Sequence, residues 1–429
     1  MTGLLLSLFF LLTAIGLPLG FMLGLTALAG FEKLGNPVYL TMLSQRFFSA
    51  MNSYTFLALP LFLLAGDIMN KVGLTERIIS FANVFFGRLR GGLAQVNIAT
   101  SILFGGISGS AVADTAALGS VFIPAMVKEG YGRGFSAAVT ASSSIIAPII
   151  PPSIIMVIYG GIMGVSIAGL FAAGIVPGLM IGVGLMILTR FISKKRNYPK
   201  HDIPITVPLV IKEFKQAFWA LLMPLIIMGG ILGGIFTPTE AAAVSVAYAL
   251  FLGLVVYRNL SLKDLYELFY KNAAMLGVII LILSSASVLG WLLAIEKLPE
   301  KIAIAFISIT ENKYLILLLI NVLLIVVGML MDTTASLIIL GPILAPLAIQ
   351  VGVDPLHFGI MMCVNLNIAL ITPPMGGCLF TAMVVGNVSF GRIVRSLWPF
   401  ILVELAVLFL IVYIPPLTMF VPRLLGFAT

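Results

Sequence analysis

The chain has 429 residues, 61% of them hydrophobic, with 24 Lys and Arg against 16 Asp and Glu and a net charge of +8. Charged residues make up 9%, where a soluble domain carries roughly 25%; so few cannot cover a water-facing surface of this size. This excludes a cytosolic enzyme, a nucleic-acid binder and a disordered chain, and leaves a polytopic protein of the lipid bilayer whose surplus of Lys and Arg is a cytoplasmic bias.

In chain order, Thr2 to Gly30 is apolar and meets no charge until Glu32. It lacks the basic start of a secretory signal and is too long for one, so a single retained membrane helix is expected over 3–30. Pro37 to Ser53 mixes Tyr39, Gln45 and Arg46 with Phe47, Phe48 and Met51, and reads as a helix along the membrane surface or a polar connector. Apolar segments follow at 54–70, 74–87, 92–107, 112–127, 135–165 and 168–192. A spanning helix needs about 20 residues. Several of these are too short and 135–165 is too long, so half-helices, re-entrant hairpins and broken helices are expected. Ser193 to Lys215 is the most polar stretch and reads as a cytoplasmic linker. Beyond it the pattern resumes, with the amphipathic Ser261 to Asn272, read like Pro37 to Ser53 as a surface helix or a polar connector, and apolar runs from 217–236 to 394–420.

Two halves are similar. A shift of 222 residues brings Pro124 onto Pro346, Gly130 onto Gly352, Pro151-Pro152 onto Pro373-Pro374, Gly164 onto Gly386 and Pro177 onto Pro399. Pro and Gly mark backbone geometry, so these matches outweigh matches at Leu. The chain is read as a first repeat (1–192), a polar linker (193–216) and a second repeat (217–429). Paired repeats with matching helix breaks point to the binding site of a secondary transporter.

Within each repeat two irregular segments stand out. Gly105 to Asp114 (GGISGSAVAD) sets three glycines and two serines between apolar half-segments. Backbone there must be buried in protein or line a wet cavity; its carbonyls and hydroxyls suit a small hard cation, and close helix packing through small residues is the other reading. Ser142 to Ser153 holds Pro148, Pro151 and Pro152, which remove donors and force the helix to unwind. The second repeat offers Gly328 to Ser336 and Asn365 to Gly377 in their places. Asp114 and Asp332 either cap the helices that follow or handle a cation or proton; Glu240, in TPTE, reads as a helix cap. Asp67 and Glu404 are further carboxylates within apolar segments. His201, His357, Cys363 and Cys378 read as structural, with no metal-ligand spacing among them. No Walker, GxSxG or HExxH pattern occurs, so an ion gradient rather than ATP is the expected energy source and no enzymatic role is expected.

The runs GGLAQVNIATSILFGGISGSAVADTAALG (91–119), GYGRGFSAAVTASSSIIAPIIPPSIIMVIYG (130–160), FTPTEAA (236–242) and ITPPMGG (371–377) closely resemble the large membrane subunit of the tripartite ATP-independent periplasmic transporters. The resemblance implies an all-α polytopic fold of the elevator-type ion-transporter superfamily in the bacterial inner membrane. Its repeats would be inverted, each with a re-entrant helical hairpin and a discontinuous helix. It implies sodium as the coupling ion, with no transition metal. One ion would be held by Gly106, Ser108, Ser110 and carbonyls around Pro148, the other by Gly328, Asp332, Thr333 and Thr372. The substrate, a small organic acid of the sialic acid or C4-dicarboxylate type, would lie between the tips against Ser108, Asp114, Ser153, Thr334, Pro374 and Met375. Arg133 would meet its carboxylate or be a surface charge. A separate small membrane subunit and a periplasmic binding protein are the implied partners. A carrier or channel needing no binding protein is the competing reading.

Overall fold

The computed structural model describes residues 2–200 and 205–428; His201 lies outside them. The described residues are helical, without strands. The first half runs α1 (Thr2–Ala14), α2 (Leu19–Leu34), α3 (Pro37–Met51), α4 (Ala58–Lys71), α5 (Leu74–Phe86), α6 (Gly92–Ser108), α7 (Ala111–Lys128), α8 (Arg133–Ser144), α9 (Ile154–Met163) and α10 (Ile167–Lys195). The second runs α11 (Val207–Leu232), α12 (Pro238–Phe251), α13 (Leu262–Ile295), α14 (Leu298–Ile309), α15 (Lys313–Gly328), α16 (Thr333–Gln350), α17 (Pro355–Ala369), α18 (Gly377–Gly386), α19 (Phe390–Tyr413) and α20 (Pro416–Leu424). Among the described residues seven helices are long and apolar enough to cross a bilayer, or eight if the bent pair over Pro37–Lys71 is one span.

The second half repeats the order of hairpin, broken helix and long helix found in the first, with α13 unbroken where the first half has α3 and α4 and with α20 added at its end; the halves exchange contacts reciprocally. α2 packs on α13 as α4 packs on α12; α7 packs on α18 as α16 packs on α9. Such exchange is what a pseudo-two-fold relation between halves produces.

Three expectations change. The apolar run 3–30 is not one helix: Gly16 takes φ 79° and Pro18 follows, so the chain folds back and α1 packs against α2. At about 1.5 Å per residue neither is long enough to span the roughly 30 Å core alone. The amphipathic segment Ser261 to Asn272 is not a separate surface helix. Ser261 caps α13 in a capping box with Asp264, and the helix continues unbroken for 34 residues. Its counterpart α3, which buries no residue, bends by 48° into the Tyr54–Lys71 helix. Of the polar linker 193–216, residues 193–195 belong to α10 and 207–216 to α11.

Two ion pairs tie α4 to α13: Lys71 to Asp264 at 2.6 Å and Lys271 to Asp67 at 3.1 Å. Asp67 also accepts from Asn272 Nδ2 at 3.0 Å, which accounts for this carboxylate structurally. Glu240 forms a capping box with Thr237 at the start of α12, as the sequence suggests. His357, on α17, bonds Thr418 Oγ1 at 2.7 Å and fixes the chain after α19.

Candidate functional site

The first hairpin is α6 and α7. It turns at Gly109, whose φ of 59° is the left-handed conformation glycine adopts without a Cβ clash. Its tip rests on the unwound stretch between α8 and α9. A Cβ on Gly105 would stand 2.9 Å from Ala147 Cα, one on Gly106 3.3 Å from the Pro151 carbonyl oxygen, and one on Gly109 2.9 Å from the Pro152 carbonyl oxygen. Gly105 and Gly109 are there because backbone meets backbone, and Gly106 also makes room for the Pro224 side chain of α11. Pro151-Pro152 is cis.

At this tip Ser108 Oγ donates to Asp114 Oδ1 and accepts from Ser110 N at 3.3 Å. Ser110 caps α7, accepting from Ala113 N at 3.4 Å. The capping role allowed for Asp114 therefore belongs to Ser110. Asp114 is fully buried and its Oδ2 has no partner. An orphaned buried carboxylate oxygen, with the Ser108 hydroxyl on its sister oxygen and the Pro151 and Pro152 carbonyls under the tip glycines, offers oxygen donors of the kind a hard cation takes.

Pro148 and Ser153 are engaged with each other: Ser153 Oγ donates to the Pro148 carbonyl and accepts from Met156 N at 3.3 Å, capping α9. Ser153 is fully buried, so this structure does not present its hydroxyl to a substrate.

The second hairpin, α15 and α16, meets its own broken helix one turn before the break. A Cβ on Gly328 would lie 2.7 Å from Ala369 Cβ, and Thr333 Oγ1 donates to the Leu366 carbonyl at 3.4 Å. Asp332 caps α16, accepting from Thr334 N at 2.9 Å, and is exposed. Thr372 Oγ1 returns to the Ile368 carbonyl at 2.8 Å, at the start of the break before the cis Pro373-Pro374 bond. Thr334 is half-buried, while Pro374 and Met375 are exposed. The halves meet where Val112 of the first tip reaches Gly377 past the second break. Arg133 is exposed at the start of α8. An open groove lies nearby between α3, α9, α13 and α16, lined by Ser53, Phe56, Gly161, Ser287 and Pro342 among others; none of the residues expected to bind substrate lines it.

Sequence reading missed the ties that hold each hairpin to its broken helix. Asn97 Nδ2 donates to Thr140 Oγ1 at 2.7 Å and Ser101 Oγ to Ser143 Oγ at 2.9 Å, from α6 to α8. From α15 to α17, Asn365 Nδ2 donates to the carbonyl and Oδ1 of Asn321 at 3.0 and 2.8 Å. Ser101 and Asn321 precede the ends of α6 and α15 by the same number of residues, and Ser143 and Asn365 obey the 222-residue shift. The tie is therefore a repeated feature. The 222-residue shift pairs Ser143 with Asn365 but sets Ser101 against Leu323, two residues past Asn321, so the sequence shows only half of the tie.

The family model of the tripartite ATP-independent periplasmic transporter, DctM component, matches residues 6–417. The chain is 42% identical to the sialic acid TRAP transporter large permease protein SiaM of Vibrio cholerae, over 95% of each chain. It is 36% identical to the C4-dicarboxylate TRAP transporter large permease protein DctM of Pseudomonas aeruginosa, over 90% of each. It is 41% identical to the isethionate TRAP transporter permease protein DctMQ of Oleidesulfovibrio alaskensis, over 96% of this chain and 65% of that one. In fold it resembles the crystal structure of the Alcanivorax borkumensis YdaH transporter, with a TM-score of 0.58 and 18% identity over 87% of each chain. These relatives are permeases rather than enzymes. The helical architecture, the paired hairpins and breaks and a match along nearly the whole chain agree: it belongs to the DctM family, the large permease component of the tripartite ATP-independent periplasmic transporters.

Proposed function

We propose that this chain is the large permease subunit of a sodium-driven symporter for a small organic acid, in the bacterial inner membrane. The observation that carries the reading is the tip of the first hairpin seated on the first break, with Asp114 Oδ2 unpartnered beside Ser108 and Ser110. Sodium favours oxygen donors, and a cation there would meet the Ser108 and Ser110 hydroxyls, the Gly106 backbone and the carbonyls around Pro148. Pro148 gives one lone pair to Ser153, leaving its second. A second ion would take Gly328, Asp332, Thr333 and Thr372.

Each hairpin is bonded to its own broken helix, and α4 is bonded to α13. The two groups would move as bodies, the first carrying the site past the second in an elevator motion with the repeats inverted across the membrane. Substrate would sit between the tips, within reach of Thr334, Pro374 and Met375; Ser108 and Asp114, buried like Ser153, would face the cation instead. The relatives are named for sialic acid, isethionate and C4-dicarboxylates, all organic anions; their shared chemistry supports an organic acid as cargo. A separate small membrane subunit and a periplasmic binding protein would complete the transporter. The test is uptake by liposomes holding this chain and its small subunit, with labelled sialic acid and C4-dicarboxylates and their binding proteins. Uptake that needs a binding protein supports the reading; equal uptake without one makes the chain an autonomous carrier.

A further inference from the structure

Glu404 lies midway along α19, fully buried, and neither of its carboxylate oxygens has a hydrogen-bond partner. It is an electrostatic neighbour of the Cys378 thiol at the start of α18, which also neighbours Thr115 and Asp114 on α7 and Asp332 before α16. The pair therefore sits where the first hairpin, the second broken helix and α19 converge.

No countercharge is at hand. α19 packs on α8, α10, α17, α18 and α20. Their charged or titratable groups are Arg133; Arg190, Lys194 and Lys195; His357 and Cys363; Cys378; and Arg423. The five cations are exposed. His357 is held by Thr418 and Val412, two turns beyond Glu404, and Cys363 lies by Tyr159. On α19 itself Arg392, Arg395 and Tyr413 lie towards the ends. An ionised carboxylate without a partner in a membrane interior is far costlier than the protonated acid. The protonated acid carries no charge that needs a partner. Among the described residues no group of three metal-ligating side chains gathers here, so the ligand that fits is a proton.

We propose that Glu404 is a proton-binding site: it holds a proton beside Cys378 while α18 is seated on α7, and releases it when that seat opens to water. The release step rests on the moving-body reading above; the bound proton does not.

The test is infrared spectroscopy of this chain with its small subunit in liposomes at neutral pH, made with ordinary glutamate or with glutamate carrying a heavy carboxyl carbon. The expected result is an acid carbonyl band that the label shifts and Glu404→Gln abolishes. In Glu404→Asp the band should persist and stop responding to the label, which serves if the Gln variant does not accumulate. Absence of a label-sensitive acid band, or its survival in Glu404→Gln, overturns the proposal. Deuterium should enter the band several-fold faster during sodium-driven uptake than at rest. Equal rates would overturn the release step alone.

Discussion

Replacing Asn365 by Ala tests whether each hairpin is held to its broken helix by the repeated polar tie. The variant removes two hydrogen bonds to Asn321, at 3.0 and 2.8 Å, and strands Asn321 Oδ1 in a buried position. A net hydrogen bond contributes about 0.5–1.5 kcal/mol and an orphaned buried acceptor costs about 1–3 kcal/mol. Asn365 Oδ1 is itself without a partner, so the wild type already carries one such penalty, which the variant relieves. Interhelical bonds measured in membranes average about 0.6 kcal/mol. The expected loss is about 1–2 kcal/mol, at the lower end of these figures. The assay is equilibrium unfolding in mixed micelles for Asn321→Ala, Asn365→Ala and the double variant. Asn321 Nδ2 also bonds the Leu317 carbonyl at 2.8 Å, so the single Asn321 variant loses more than the tie and only the cycle isolates it. A coupling energy of about 0.5–1 kcal/mol supports the tie. Additive variants would refute it, since the two side chains would then stabilise nothing jointly.

Gly109→Ala places a Cβ on a left-handed residue and 2.9 Å from the Pro152 carbonyl oxygen; conformational strain alone should cost about 1–2 kcal/mol, read as a lower melting temperature and weaker sodium dependence, and an unchanged variant would mean that the tip does not rest on the break. Lys71→Asp sets a second carboxylate against Asp264 and should lower the melting temperature more than Lys71→Met does, the gap narrowing at high salt; equal melting temperatures for the two variants would show that the charge pair stabilises nothing. A cysteine at Lys195, in a chain with Cys363 and Cys378 replaced, should react with an impermeant thiol reagent from the cytoplasmic side. Labelling from the periplasm would reverse the assigned topology.

The helix breaks were legible because Pro and Gly announce them: the runs around Pro148–Pro152 and Thr372–Pro374 unwind where the sequence says they must. The fold-back at Gly16–Pro18 was hidden, since two breaking residues inside a long apolar run do not change its hydropathy. The continuity of α13 was hidden for the opposite reason, an amphipathic stretch and an apolar one sharing one helix. At the site, the sequence places Ser108, Ser110 and Asp114 together but does not say which of them caps α7, because a cap depends on where the turn ends, and Gly109 ends it before Ser110. Ser153 reads as an available hydroxyl, yet the carbonyl freed by Pro152 takes its proton. Ser101, Asn321 and Asn365 give no local signal at all, because a polar residue in an apolar helix gains meaning only from the helix it faces.

The proposed symport requires one sodium site in each repeat, built from its hairpin tip and its helix break. The most direct test is equilibrium binding of labelled sodium to the purified two-subunit complex, in the wild type, Ser108→Ala, Thr372→Ala and the double variant. The account predicts two saturable components, one weakened about tenfold or more by each single change, as loss of roughly 1.4 kcal/mol of binding would produce, and both weakened in the double variant. Sodium binding that is the same in all four proteins would contradict it.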